Sequence, residues 1–212
     1  MLRGAPRRAS RLFRGHLPFG AIALVGIIAL VGILAEKTPM ELLLYPNPIL
    51  RKRALPVAAE DDELRDRVRE MFQIMYRERG VGLAAPQVGW SVRLFVANTK
   101  GEPDPESERV YVNPEISLRE GEVCEEEGCL SIPGVRGKVT RSERIILRAK
   151  DLAGNAVEED ASGLTARVLQ HEFDHLDGIL FLTRLSASDR MPAGKVLKKL
   201  ERDYKNSLRA ER

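Results

Sequence analysis

The run Gln170-His171-Glu172-Phe173-Asp174-His175 constrains this chain more than any other stretch. Histidines four apart share one face of an α-helix, where two imidazoles can grip one metal ion and the enclosed glutamate can reach a water held on it. The chain has three histidines, His16, His171 and His175, so two of the three fall in this motif. The surrounding pattern supports a helix: after Ser162, placed as N-cap, Leu164, Val168, His171 and His175 form one inward stripe that Gly178 ends. The competing reading is a chance H-E-x-x-H, two solvated histidines on an exposed face.

The rest of the body, from Met40 on, reads as one domain. Leu42 to Pro48 is an apolar piece stopped by prolines. Between Asp61 and Gly80, Leu64, Val68, Met71, Phe72, Met75 and Tyr76 follow the helical period, and Gly80 is placed as the C-cap. The methionines read as core filler. Between residues 91 and 150 the period changes: Val92, Leu94 and Val96 alternate, as do Val110 and Val112, and Ile116 and Leu118, before Ile145-Ile146-Leu147. Gly101 to Ser107 is a loop and Asp151 to Asn155 a turn. A last helix follows Ser188, with Ala193, Val196, Leu197, Leu200, Tyr204 and Leu208 on one side and lysines and arginines on the other. That basic face is a solvated surface or a contact for ribosome or RNA.

The overall charge of +3 conceals an asymmetry. Residues 1–39 carry six basic residues and one acid, leaving the remainder at −2, so the basic isoelectric point gives no argument for DNA binding by the body. Five arginines precede Leu17 to Ala35, nineteen residues without a charge, long enough to span a bilayer. Ile33-Leu34-Ala35 is a poor cleavage site for a signal peptide, and a transit peptide would be amphipathic and serine-rich. A signal anchor fits the composition, but the arginines would hold the N-terminus in the cytoplasm and send the body across the membrane. The remaining reading is a working start at Met40. The expected organisation is a leader over 1–39, a catalytic domain over 40–188 and a basic amphipathic helix over 189–212.

Two histidines do not complete a catalytic metal site. The pattern H-E-x-x-H-x-x-G-x-x-H is followed through Gly178, but Phe181 stands where a third histidine would be, which excludes the metzincins. The first glutamate after His175 is Glu201, on the lysine-rich last helix, a poor third ligand. The cysteines remain, too few for a disulfide scaffold and suited to a reducing compartment. Cys129, in Glu127-Gly128-Cys129-Leu130-Ser131, would give a thiolate with two imidazoles, leaving room for water and suiting iron(II) or zinc. Its rivals are a buried inert thiol and a structural Cys2His2 site that also uses Cys124; against the latter, Glu172 would have no task there. Gly80-Val81-Gly82-Leu83-Ala84-Ala85-Pro86-Gln87 is dense in small residues, so a substrate backbone can lie alongside it, with Gln87 as an amide donor. It lacks the lysine and the spacing of nucleotide-binding loops.

Taken together, the segments 80–87, 127–131 and 170–178 resemble the three signature motifs of the peptide deformylase family, in the family's order, with similarity running from about Leu42 to Leu185. The resemblance implies an α+β fold with antiparallel sheets around a central metal-binding helix, a first amphipathic helix and a C-terminal helix. It implies removal of the N-formyl group from the initiator methionine of new polypeptides in the cytoplasm, with membrane association only through residues 17–35. By similarity Cys129, His171 and His175 bind Fe2+, for which Zn2+, Ni2+ or Co2+ can substitute. Glu172 is the expected general base and acid, and the Gln87 amide and Leu130 backbone N–H the expected oxyanion donors. Val81, Gly82, Glu127, Leu164 and Arg136 are expected to hold the peptide. Gln170 and Asp174 adjoin the ligands without an assigned role. The alternatives are a zinc endopeptidase and a zinc-stabilised binding module without activity.

Overall fold

The computed structural model describes residues 40–58 and 62–210. The sequence expectations for the leader, including the apolar segment 17–35, lie outside them. Met40 onward clusters as one unit, and no helix among the described residues is long and apolar enough to cross a membrane.

The first helix, α1 (Asp62–Arg77), buries Leu64, Val68, Met71, Phe72 and Met75, as their helical spacing predicts. Its end differs from expectation. Arg79, not Gly80, takes the left-handed conformation (φ 59°), and the Gly80 N–H closes the turn onto Met75 O at 2.8 Å. Gly80 is needed for another reason: a Cβ there would lie 2.6 Å from Leu130 Cδ1.

Five strands follow in chain order: β1 (Gly82–Ala84), β2 (Leu94–Ala97), β3 (Arg109–Glu120), β4 (Val123–Gly128) and β5 (Arg136–Arg141). After β6 (Arg144–Lys150) and β7 (Ala156–Ser162) come α2 (Gly163–Leu176) and α3 (Ala187–Ala210). One antiparallel sheet has the order β1-β2-β3-β6-β7, and β4 and β5 form a separate antiparallel ribbon. The architecture is α+β.

Strand β2 shows why the core sits where it does. All four of its residues are buried, because both faces are covered. Leu94 and Val96 join the cluster built on α1, while Phe95 and Ala97 join the cluster built on α2. The β1–β2 end of the sheet is thus sandwiched between α1 and α2. Val92, expected to lead this strand, instead makes an isolated parallel bridge with Leu55. The Val110–Val112 and Ile116–Leu118 segments are one strand, with one register shift at Asn113 and Pro114 and a second between Ile116 and Leu118. Asn113 has φ 50°, and its side chain exchanges hydrogen bonds with the Val57 backbone, so the bulge is anchored rather than frayed.

Helix α2 is buried on most of its circumference. Ser162 occupies the N-cap position, but its hydroxyl makes no capping bond, and Gly163 follows with φ 55°. Leu164 leaves the expected inward stripe; it is 56% exposed. Gly178, at φ 71°, ends the helix as expected, and a Cβ there would meet Arg51 O at 2.5 Å. Helix α3 starts on a reciprocal cap: Ser186 Oγ accepts from Asp189 N–H and donates to Asp189 Oδ2. Its apolar stripe packs on the body only through Ala193, Val196, Leu197 and Leu200, whereas Leu208 is 43% exposed.

Candidate active site

Three segments converge beside α2. The turn after β1 is a short 3-10 helix, Ala85–Val88, which carries Gln87. The turn after β4 carries Cys129, with Ile132 N–H donating to its carbonyl. Helix α2 carries His171, Glu172 and His175. The thiol sulfur and one nitrogen from each of the two imidazoles lie within 4.8 Å of one another. Among the described residues this is the only such group of three potential ligands. Cys124, offered by the structural-zinc reading, is exposed on β4 and outside the cluster. Phe181 is buried with its ring 6.1 Å from that of His171, and Glu201 is occupied by the Tyr45 hydroxyl.

The donor set suits a divalent ion: a soft thiolate and two imidazoles in a buried setting. Among the described residues, two buried side-chain atoms, Glu172 Oε2 and His175 Nδ1, have no hydrogen-bond partner. Burial pushes the Glu172 carboxyl up to about 7, the range of a working general base. Burial also drives His175 well below its ordinary value. At His171 burial acts in the same sense, but hydrogen bonds to Cys129 and Glu127 outweigh it and raise the imidazole to about 10.

The remaining geometry fixes orientation. Ala84 N–H donates to Gln87 Oε1 at 2.8 Å, so the Gln87 NH2 faces the cluster, donating to Ser131 Oγ at 3.2 Å and Cys129 Sγ at 3.6 Å. Gly82 lies under Glu172, where a Cβ would come within 2.5 Å of Oε1. A cleft of about 590 Å³ opens onto the cluster; Val81, Gly82, Leu130, Arg136 and Leu164 are among its walls. The exposure of Leu164 is therefore exposure to this cleft. Arg136 is at the rim, paired with Glu126 at 2.7 Å.

Glu127 also borders the cleft, but its carboxylate is turned inward. It accepts from Arg141 Nε and, at 2.9 Å, from Arg141 Nη2; Arg167 Nη1 donates at 2.6 Å and His171 Nδ1 at 3.1 Å. Burial alone would raise this carboxyl, but the bonds from His171 and Arg141 hold it down at about 2. Glu127, expected to hold peptide, borders the cleft while its carboxylate meets His171 Nδ1, a contact of the kind that orients a ligating imidazole. Asp174 does not touch either histidine; it accepts from Arg141 at 2.9 Å and twice from Arg184 at 2.6 Å. Gln170 bonds Arg119 and the Ser142 backbone instead.

Sequence reasoning missed Arg141 and Arg167. Both signals are visible in retrospect. On β5, Gly137, Val139 and Arg141 are the alternate, inward positions, and Arg167 lies one helical turn before His171, within the run of buried residues from Ala166 to Gln170.

The sequence profile of the polypeptide deformylase family matches residues 39–191. The chain is 46% identical over 158 residues to a peptide deformylase of Acidobacterium capsulatum, covering 74% of this chain and 93% of that one. Against a solved peptide deformylase from Plasmodium falciparum the TM-score is 0.77 at 40% identity, covering 78% of this chain and 98% of that one. Against one from Legionella pneumophila it is 0.72 at 43% identity, covering 82% and 98%.

Proposed function

The chain belongs to the polypeptide deformylase family, hydrolases that remove the formyl group from nascent peptides, and from that premise we propose which of its residues carry the reaction. Cys129, His171 and His175 hold a divalent ion, iron(II) in the working enzyme, with zinc, nickel or cobalt able to replace it. Held there, the ion would supply Lewis acidity to a water and to the formyl group.

The protein's own groups do the rest. Glu172, lifted to about 7 by burial, takes a proton from the attacking water and returns it to the departing amine as the C–N bond of the formamide breaks. The products are formate and a free amino terminus. The Gln87 NH2, aimed by Ala84 N–H, and the Leu130 backbone N–H donate to the oxygen as it gains charge, each worth about 3 kcal/mol. Val81 and Gly82 line the path of the peptide, Leu164 contributes an apolar wall for the methionine side chain, and Arg136 stands at the exit. Glu127, backed by Arg141 and Arg167, keeps His171 in the ligating orientation.

One observation carries this reading: the Cys129-His171-His175 cluster, with the buried Glu172 beside it carrying an oxygen that has no partner among the described residues. The test is formate release from formyl-Met-Ala set against cleavage of casein by the same preparation. Formate release without casein cleavage is the expected result; casein cleavage alone would return the chain to the endopeptidase reading. Purification without air followed by elemental analysis is expected to find iron, since oxygen attacks both iron(II) and Cys129.

We propose that the enzyme works beside the ribosome in the cytoplasm, where formylated nascent chains emerge. We assign residues 40–188 to catalysis and residues 189–212 to a basic helix whose exposed Lys195, Lys198, Lys199, Arg202 and Lys205 suit ribosomal RNA. Residues 1–39 are dispensable for the chemistry, with Met40 as the working start.

A further inference from the structure

A second cleft, of about 370 Å³, opens between the end of β3, the end of β5 and the segment after the Phe181–Thr183 turn. Its floor is Arg141 and Gln170, both buried; Arg119, Glu122, Thr140 and Arg184 form an exposed rim, with Ser142 between. It shares no lining residue with the active-site cleft.

Three guanidiniums converge there; of the nearby carboxylates, Asp174 and Glu127 are already engaged and Glu122 stands on the rim. Asp174 accepts from both Arg141 and Arg184. Glu127, the other partner of Arg141, is shared with Arg167 and His171. Arg119 is held by an amide: its Nη1 donates to Gln170 Oε1 at 3.1 Å, an oxygen that also accepts from Ser142 N–H at 3.0 Å. The Gln170 NH2 is tied to Ser142 O and Ala166 O, which locks that arrangement. Burial lowers the Arg119 pKa; Asp174 opposes this, while Arg184 and Arg141 add to it, the signature of crowded like charge. With Nη1 engaged, the Nε–Nη2 edge of Arg119 remains to grip an oxyanion side-on, and Arg184 keeps Nη1 beyond its two bonds to Asp174. Glu122 on the rim opposes an anion and so limits its affinity.

We propose that this cleft binds the phosphate group of a small ligand, with Arg119 and Arg184 as the clamp and the Ser142 and Thr140 hydroxyls as neutral donors. A phosphate, with several oxygens, can meet the unengaged N–H groups of both Arg119 and Arg184, where a carboxylate has only two oxygens to offer. The volume leaves room for an organic portion beside the phosphate. No aromatic side chain lines the cleft, so it offers no stacking platform for the bases of a single-stranded nucleic acid.

The test is calorimetric titration of the metal-loaded enzyme with inorganic phosphate and, separately, with ribose 5-phosphate, in chloride at constant ionic strength. Saturable binding of either is expected, and R119Q should weaken it about tenfold or more, while E122Q should tighten it. Turnover of formyl-Met-Ala by R119Q in chloride should equal that of the parent, which separates this cleft from anion binding at the active-site metal. Binding of both ligands assigns recognition to the phosphate alone; binding of ribose 5-phosphate only assigns it to a phosphate ester. If R119Q melts lower than the parent, R119K replaces it: the charge stays, the fork is lost, and weaker binding is again expected. No saturable binding of either ligand, or parental affinity in the Arg119 variant, overturns the proposal.

Discussion

A methyl group at position 82 would compete for the space of Glu172 Oε1. G82A is therefore expected to displace the carboxylate while leaving the metal ligands in place. Because a misplacement of about 1 Å can cost on the order of a hundredfold in rate, kcat for formyl-Met-Ala should fall by roughly that factor with metal content unchanged; parental kcat would contradict the assignment of Glu172. Glu127 acts at one remove. E127Q keeps the shape but loses the charge that aims His171, and metal affinity measured by chelator competition should drop about 10–100-fold. The raised value at His171, about 10, has a definite sign: without the ion the imidazole is protonated at neutral pH, and ligation requires it neutral. Loading the apoprotein should release protons, so that apparent affinity rises with pH. Calorimetry in two buffers of different ionisation enthalpy would read this, and a buffer-independent heat would contradict it.

At the scale of elements, the β4–β5 ribbon and α2 are joined by a buried charge network rather than by apolar contact alone. Arg141 links Glu127 on β4 to Asp174 on α2, with all three buried. Removing one partner of such a set strands the others, at a cost of about 3–5 kcal/mol. R141M should lower the melting temperature by about 10 °C and loosen metal binding along with it. Glu127, held at about 2, contributes stability above the ordinary carboxyl value that is lost as pH falls toward 2. The same ribbon shows why part of the fold was illegible in the sequence. Strands β4, β5 and β7 read VCEEEG, RGKVTR and AVEEDAS; their charges mask the period of two, since β4 and β5 bury a paired Glu127 and Arg141 where a hydrophobic pattern would place valine. By contrast α1 and α2 were legible from periodicity, and Cys129 was nominated from ligand chemistry. The role of Glu127 was not, because its partners lie far along the chain and no local signal connects them.

At the scale of the whole molecule, residues from Met40 onward cluster as one unit. A version starting at Met40 should retain the turnover of the full chain on formyl-Met-Ala; loss of activity would show that residues 1–39 take part. Helix α3 packs through its first half and carries its basic face outward. Replacing Lys195, Lys198, Lys199, Arg202 and Lys205 with glutamate should reduce co-sedimentation with ribosomes while leaving kcat/KM on the dipeptide unchanged. Unaltered co-sedimentation would make that face merely solvated.

The central claim is that Cys129, His171 and His175 hold the ion while Glu172 moves the proton. The most direct measurement is formate release and metal content of E172Q, prepared without air beside the parent. The account predicts metal retained at the parental level and formate release reduced by about 10²–10⁴-fold. Parental formate release from E172Q would contradict it.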